Sequence, residues 1–239
     1  MTAPTDTAWL FAEVCGMDHR GEDCVPTIVS SLRRSSVSWN GRLYTVAAVD
    51  RAALGMVVGG ILWVVHGVFE MIAPFGVASV YDGTLGYDLI TDRALYLLYG
   101  IPGAVALILS SFGLITLARG RSERFVGLGR VLAFATLGAG VLSGLGLAIG
   151  SPPMSIAPIG FGTPVLGAAA CFVATGARSA ERGPLLVVGA LGLFALPLRP
   201  LVYALQVIPL TVGAAIIGLF GLGWVALGWR AMREDRPAS

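Results

Sequence analysis

The chain has 239 residues, 56% of them hydrophobic, with 16 basic side chains, all arginine, and 14 acidic ones. Eleven of these charges fall in residues 1–51 and five in 230–239, leaving 14 for residues 52–229. A water-soluble domain carries charge on about a quarter of its residues, so this middle stretch reads as lipid-embedded.

The same composition narrows the chemistry. A net charge of +2 with no basic stripe excludes a nucleic-acid partner. The absence of lysine excludes Schiff-base cofactors and a P-loop. Two histidines, His19 and His66, are too few for a two-haem membrane cytochrome. Cys15, Cys24 and Cys171 form no C-x-x-C pair, and Cys171 lies in an apolar run, where it reads as a small hydrophobe.

In chain order, residues 1–49 come first, as a cytoplasmic N-terminal arm. They lack the basic-then-apolar pattern of a secretory signal and are too few to build a core unaided. Residues 8–17 have the spacing of a short amphipathic helix, with Leu10, Val14 and Met17 on one face; residues 1–7 read as disordered. Cys15, His19 and Cys24 approach metal-ligand spacing without a fourth ligand. Arg33-Arg34-Ser35-Ser36 has the form of a basophilic phosphorylation site.

From residue 50 to 229 the apolar runs and their proline breaks predict six transmembrane helices, near 52–73, 94–118, 125–149, 159–177, 184–203 and 208–229. Ser151-Pro152-Pro153 and Pro158 are taken to separate the third from the fourth. Arginine placement orients them. With the N-terminus cytoplasmic, Arg51, Arg119, Arg121, Arg124, Arg178, Arg182, Arg230, Arg233 and Arg236 lie inside, and only Arg93 and Arg199 outside. Tyr81, Tyr87, Tyr96 and Tyr99 then form an outer aromatic belt, and Trp224 and Trp229 an inner one. Residues 230–239 make a short cytoplasmic tail. The expected fold class is thus all-α: a polytopic membrane bundle of six helices in three sequential hairpins, both termini cytoplasmic, in a bacterial inner membrane.

The hairpins resemble one another. Asp50-Arg51, Glu123-Arg124 and Glu181-Arg182 open the odd spans. Tyr99-Gly100-Ile101-Pro102, Phe161-Gly162-Thr163-Pro164 and Val207-Ile208-Pro209 stand early in the even ones. Position alone produces part of this, since acid–arginine pairs suit an inner boundary and proline suits a first helical turn. A parallel threefold repeat would produce all of it.

Thirty-three glycines suggest close helix packing. The third span holds the small-xxx-small steps Gly140–Gly144 and Gly146–Gly150, and is expected to be the most enclosed helix. The first span holds Gly55–Gly59.

One polar constellation stands out. His66 and Glu70 are four residues apart on one face of the first span, and the following loop adds Asp82, Asp88 and Asp92. Three chemistries fit. The carboxylates could gather cations or protons around His66. His66, Glu70 and a loop aspartate could hold a hard metal for catalysis, although no zincin-type motif accompanies them. The plainest reading is structural: His66 and Glu70 bond each other, and Asp92 caps the second span. Ser143-Gly144 lacks the G-x-S-G context of an intramembrane protease, and no histidine follows to act as base.

The sequence therefore points to a small transporter, a channel-like protein or a membrane-complex subunit with an outward-facing polar vestibule. It leans away from enzyme chemistry and needs no cofactor or resident metal. Its partners are the bilayer and either a second copy or another membrane subunit. The alternatives are a metal-dependent membrane enzyme using His66 and Glu70, and a non-catalytic scaffold.

Overall fold

The computed structural model describes residues 51–71, 79–82, 87–119, 121–199 and 210–234, all within one compact unit, Thr45–Ser239. The expectations for the N-terminal arm and the extreme tail lie outside the described residues. Those that remain form six helices and one hairpin: α1 (Arg51–Met71), then β1 (Ser79–Asp82), β2 (Tyr87–Ile90), α2 (Arg93–Leu117), α3 (Arg124–Ile149), α4 (Pro152–Thr175), α5 (Ser179–Arg199) and α6 (Leu210–Glu234). Five helices, all but α5, are long and apolar enough to cross a membrane. By these helices the chain is a multi-pass membrane protein. In hydrocarbon every backbone group must find its partner within the chain, which is what the helical ladder provides.

Local sequence sets the helix ends. The Asp92 carboxylate accepts the Leu95 amide at 3.0 Å and starts α2. Gly150 ends α3 in the left-handed conformation, φ 74°, and the Ser151 amide reaches back to the Gly146 carbonyl at 2.8 Å, the Schellman closure that glycine favours. Pro152 and Pro153 then occupy the first two positions of α4, where no amide proton is needed. This corrects the expected span boundary. The proline pair opens a helix seven residues before 159, and Pro158 lies inside it, forfeiting one ladder bond that a 24-residue helix survives. A second difference lies between α1 and α2, where the loop contains the antiparallel hairpin β1–β2.

Successive helices pack antiparallel, and the small residues show where. Between α1 and α6 the approach is backbone to backbone. A Cβ built on Gly60 would lie 2.5 Å from the Gly221 carbonyl oxygen, one on Gly67 2.9 Å from that of Ala214, and one on Gly228 2.6 Å from that of Ala53. Ala53, Gly60 and Gly67 are spaced by sevens, as are Ala214, Gly221 and Gly228 running the other way. That is the seam of an antiparallel coiled coil whose knobs have been reduced to hydrogen. Since α1 and α6 are the first and last helices described, this seam closes the bundle. The neighbouring Gly59 faces α2 instead, where a Cβ would lie 2.9 Å from the Ser110 hydroxyl.

The main apolar core has contributions from all six helices, including Met56 and Trp63 of α1, Leu107 of α2, Ala133 of α3, Leu166 of α4 and Phe220 of α6, joined by Val188 of α5; a smaller cluster joins Tyr96, Ala104 and Leu147. The interior also takes in residues expected at the membrane surface. Tyr96, Tyr99 and Trp224 are at most 2% exposed, so they are interior side chains and not belts. Trp229 is exposed, with the Arg233 guanidinium 5.1 Å above its ring; the side chains of Tyr81 and Tyr87 lie outside the described residues. The expectation for α3 is also reversed: 33% of its apolar window is buried, against 56% for α2 and α4. Phe125, Val131, Phe134, Leu145 and Ile149 form its exposed face.

Hydroxyls tie the helices at buried points. Thr136 gives its proton to the Ala133 carbonyl, so the Ser111 hydroxyl is the donor in the 2.7 Å bond linking α2 to α3. The adjacent Ser110 hydroxyl is equally buried and has no hydrogen-bond partner among the described residues. Ser111→Ala is therefore expected to cost about 0.6 kcal/mol, the average for interhelical hydrogen bonds in membranes, and at most about 1.7 kcal/mol. Ser110→Ala should be neutral or stabilising, because it removes an unsatisfied polar group. Thermal unfolding of the two variants in mild detergent checks the contrast.

Candidate functional site

The polar constellation assembles around His66. One turn of α1 separates it from Glu70, and both are enclosed, at 0% and 4% exposure. The Nδ1 atom of His66 lies 3.0 Å from the Tyr99 carbonyl oxygen of α2. A carbonyl has no proton to give, so the imidazole donates through Nδ1–H. The other nitrogen, Nε2, faces the Glu70 Oε1 at 3.6 Å.

The walls of the site are aromatic and close. Trp63 lies edge-on to His66, ring centroids 5.9 Å apart, and itself meets Phe220 of α6 at 5.4 Å. Phe220 in turn packs at 6.0 Å on Trp224. Phe69 stands edge-on to Tyr99 at 5.8 Å. Gly103 lets α2 come near: a Cβ there would lie 3.1 Å from the His66 Cε1. The imidazole is thus gripped between α1 and α2, with a run of aromatic rings continuing toward α6.

The loop aspartates play other parts. Asp92 is occupied as the N-cap of α2. In the hairpin, Asp82 is opposite Tyr87 and Asp88 opposite Tyr81, so the two acids are not cross-strand partners; their side chains lie outside the described residues. Among the described residues no three His, Cys, Asp or Glu side chains are grouped to hold a metal ion.

The four packing glycines of α3 differ from one another. Gly140 meets α2, where a Cβ would fall 2.7 Å from Ile108 Cγ1, and Gly146 meets the start of α4, 2.5 Å from the Met154 carbonyl carbon. Gly144 has nothing within 4 Å, and Gly150 serves the helix end described above.

Four further polar contacts were not anticipated. Ser155 gives its proton to the Pro152 carbonyl, so the Tyr96 hydroxyl is the donor in the short bond that ties α2 to α4. Ser143 donates to the Ser155 carbonyl at 2.7 Å, joining α3 to α4. At the opposite end of the bundle, the Arg121 guanidinium pairs with Glu181 at the start of α5. Arg230 donates to the Ala180 carbonyl there at 3.2 Å. The signal for the first two was present as hydroxyl residues inside apolar runs, but nothing in their spacing says which helix each one meets.

Comparison of the chain with protein-family models, curated proteins and solved structures finds no match.

Proposed function

We propose that the chain is a six-span inner-membrane protein of a bacterium, with both termini cytoplasmic, acting as a non-catalytic subunit of a membrane complex. α5 supplies the sixth crossing, and the arginine distribution supplies the orientation. The observation that carries the functional reading is the closure around His66. The residue best placed to line a permeation path is fully enclosed, bonds the Tyr99 backbone through one nitrogen, faces Glu70 through the other, and is backed by Trp63 and Phe220. A transport vestibule needs such groups turned to water, whereas a fastener needs them turned to each other.

Two measurements test this. In liposomes carrying the purified chain and an entrapped pH- or cation-sensitive dye, leakage should equal that of protein-free vesicles. Flux abolished by Glu70→Gln would establish a transport path and defeat the reading. After gentle solubilisation of native membranes, the chain should migrate well above the size of a single 24.7 kDa subunit in its micelle. Migration as a monomer would count against a complex.

A further inference from the structure

Arg130 is a charge inside an apolar helix. It stands six residues beyond Arg124, the first residue of α3, which at 1.5 Å per residue is about 9 Å along the axis. Its side chain is half-buried, and its Nε is buried with no hydrogen-bond partner among the described residues. The acids nearest in sequence are directed elsewhere. Glu123 lies against α4, where a Cβ on Gly176 would be 2.7 Å from its Oε2, and Glu181 is engaged by Arg121. Arg121 itself retains a buried Nη1 without a hydrogen-bond partner among the described residues. A guanidinium stays charged under all ordinary conditions, and an uncompensated charge at that depth is costly.

Helix geometry shows where the charge can go. Side chains on a helix lean toward its N-terminus, which directs Arg130 toward the turn that contains Gly127 without filling the space there. Gly127 is exposed and has open space where its Cβ would be. The flanking Val131 and Phe134 are exposed apolar residues, 64% and 53%, suited to acyl chains. The result is a notch on the lipid-facing side of α3, apolar along its length, with a cation reaching toward the bundle end where Arg119, Arg121 and Arg124 cluster in sequence.

We propose that Arg130 binds the phosphate group of an anionic phospholipid seated in the Gly127 notch of α3. The planar fork of the guanidinium matches two phosphate oxygens, and the missing side chain at residue 127 gives the headgroup access. The chemistry alone would also accept free phosphate; the apolar flanks favour the lipid.

The test uses the full chain purified in a neutral detergent, with the thermal unfolding midpoint as readout. Phosphatidylglycerol should raise the midpoint, while phosphatidylcholine with the same acyl chains and inorganic phosphate at equal concentration should not. Arg130→Gln should lose most of the rise. Should glutamine prevent folding, Arg130→Lys, which keeps the charge without the fork, should reduce the rise several-fold. Gly127→Leu, which fills the notch on an otherwise open face, should also reduce it while leaving the lipid-free midpoint unchanged. Equal protection by phosphatidylcholine, reproduction of the rise by inorganic phosphate, or a full rise in the arginine variants would each overturn the proposal.

Discussion

Gly60→Leu is expected to abolish the folded bundle, whereas Gly144→Leu is expected to leave it intact. Both substitutions add the same side chain to a glycine in an apolar helix, so propensity and hydrophobicity cannot separate them. Position does. At residue 60 the added Cβ would lie 2.5 Å from the Gly221 carbonyl oxygen and 2.7 Å from the Val225 amide nitrogen. These are backbone atoms of α6, which cannot rotate aside as a side chain would. Relief requires α1 and α6 to separate, and separation undoes the Gly67 and Gly228 approaches on the same seam. Overpacking in a core costs about 1–3 kcal/mol when side chains can adjust; a backbone clash on a closing seam exceeds that range. At residue 144 an added Cβ would meet nothing within 4 Å, and the side chain joins an already apolar face. Yield of monodisperse protein in mild detergent, followed by thermal unfolding, distinguishes the two. A well-folded Gly60→Leu variant would show that the bundle does not depend on that seam.

The contrast shows what was legible in the sequence and what was not. The membrane class and the approximate extent of most spans follow from apolar runs and charge placement, because lipid penalises any other arrangement. The facing of those spans does not follow. In a soluble helix the polar stripe marks the outside. Here both faces are apolar, and Gly55 and Gly59, Gly60 and Gly67, or Gly127 and Gly144 look alike in sequence while facing a neighbour in some cases and open space in others. Small residues mark a packing face only if a partner arrives there, and partner choice is a property of the whole bundle. The same reasoning explains the tyrosines. Tyr96 and Tyr99 lie near a helix end, where a belt is the usual role; the Ser155 hydroxyl receives one and the Phe69 ring packs on the other, so both turn inward. Pro158 misled for a complementary reason, since a single missing ladder bond ends a short helix more readily than a long one. His66 and Glu70 were identifiable because a histidine and a carboxylate in an apolar helix have few ways to be tolerated. The Tyr99 carbonyl was not, because a backbone acceptor carries no sequence signature.

The largest expected effect at the polar site is from His66→Ala, and its source is mainly Glu70. Removing the imidazole deletes the bond to the Tyr99 carbonyl, worth about 0.6 kcal/mol on average and at most about 1.7 kcal/mol between membrane helices, and leaves space beside Trp63 and Gly103. It also strands a carboxyl group that is 4% exposed without the partner that faced it. Breaking a buried pair from one side costs about 3–5 kcal/mol in soluble proteins, more than the hydrogen bond itself. Glu70→Gln should behave differently. The amide keeps the size of the side chain, carries no charge, and can donate to Nε2 while Nδ1 continues to donate to Tyr99, so the loss should stay below about 1 kcal/mol. The double variant makes the attribution testable. If the stranded acid dominates, adding Glu70→Gln to His66→Ala should recover a substantial part of the stability, giving a coupling energy that distant residues do not show. If the double variant is as unstable as His66→Ala alone, the loss comes from packing around the ring and from the Tyr99 bond. Glu70 would then be a bystander in the fastening of α1 to α2.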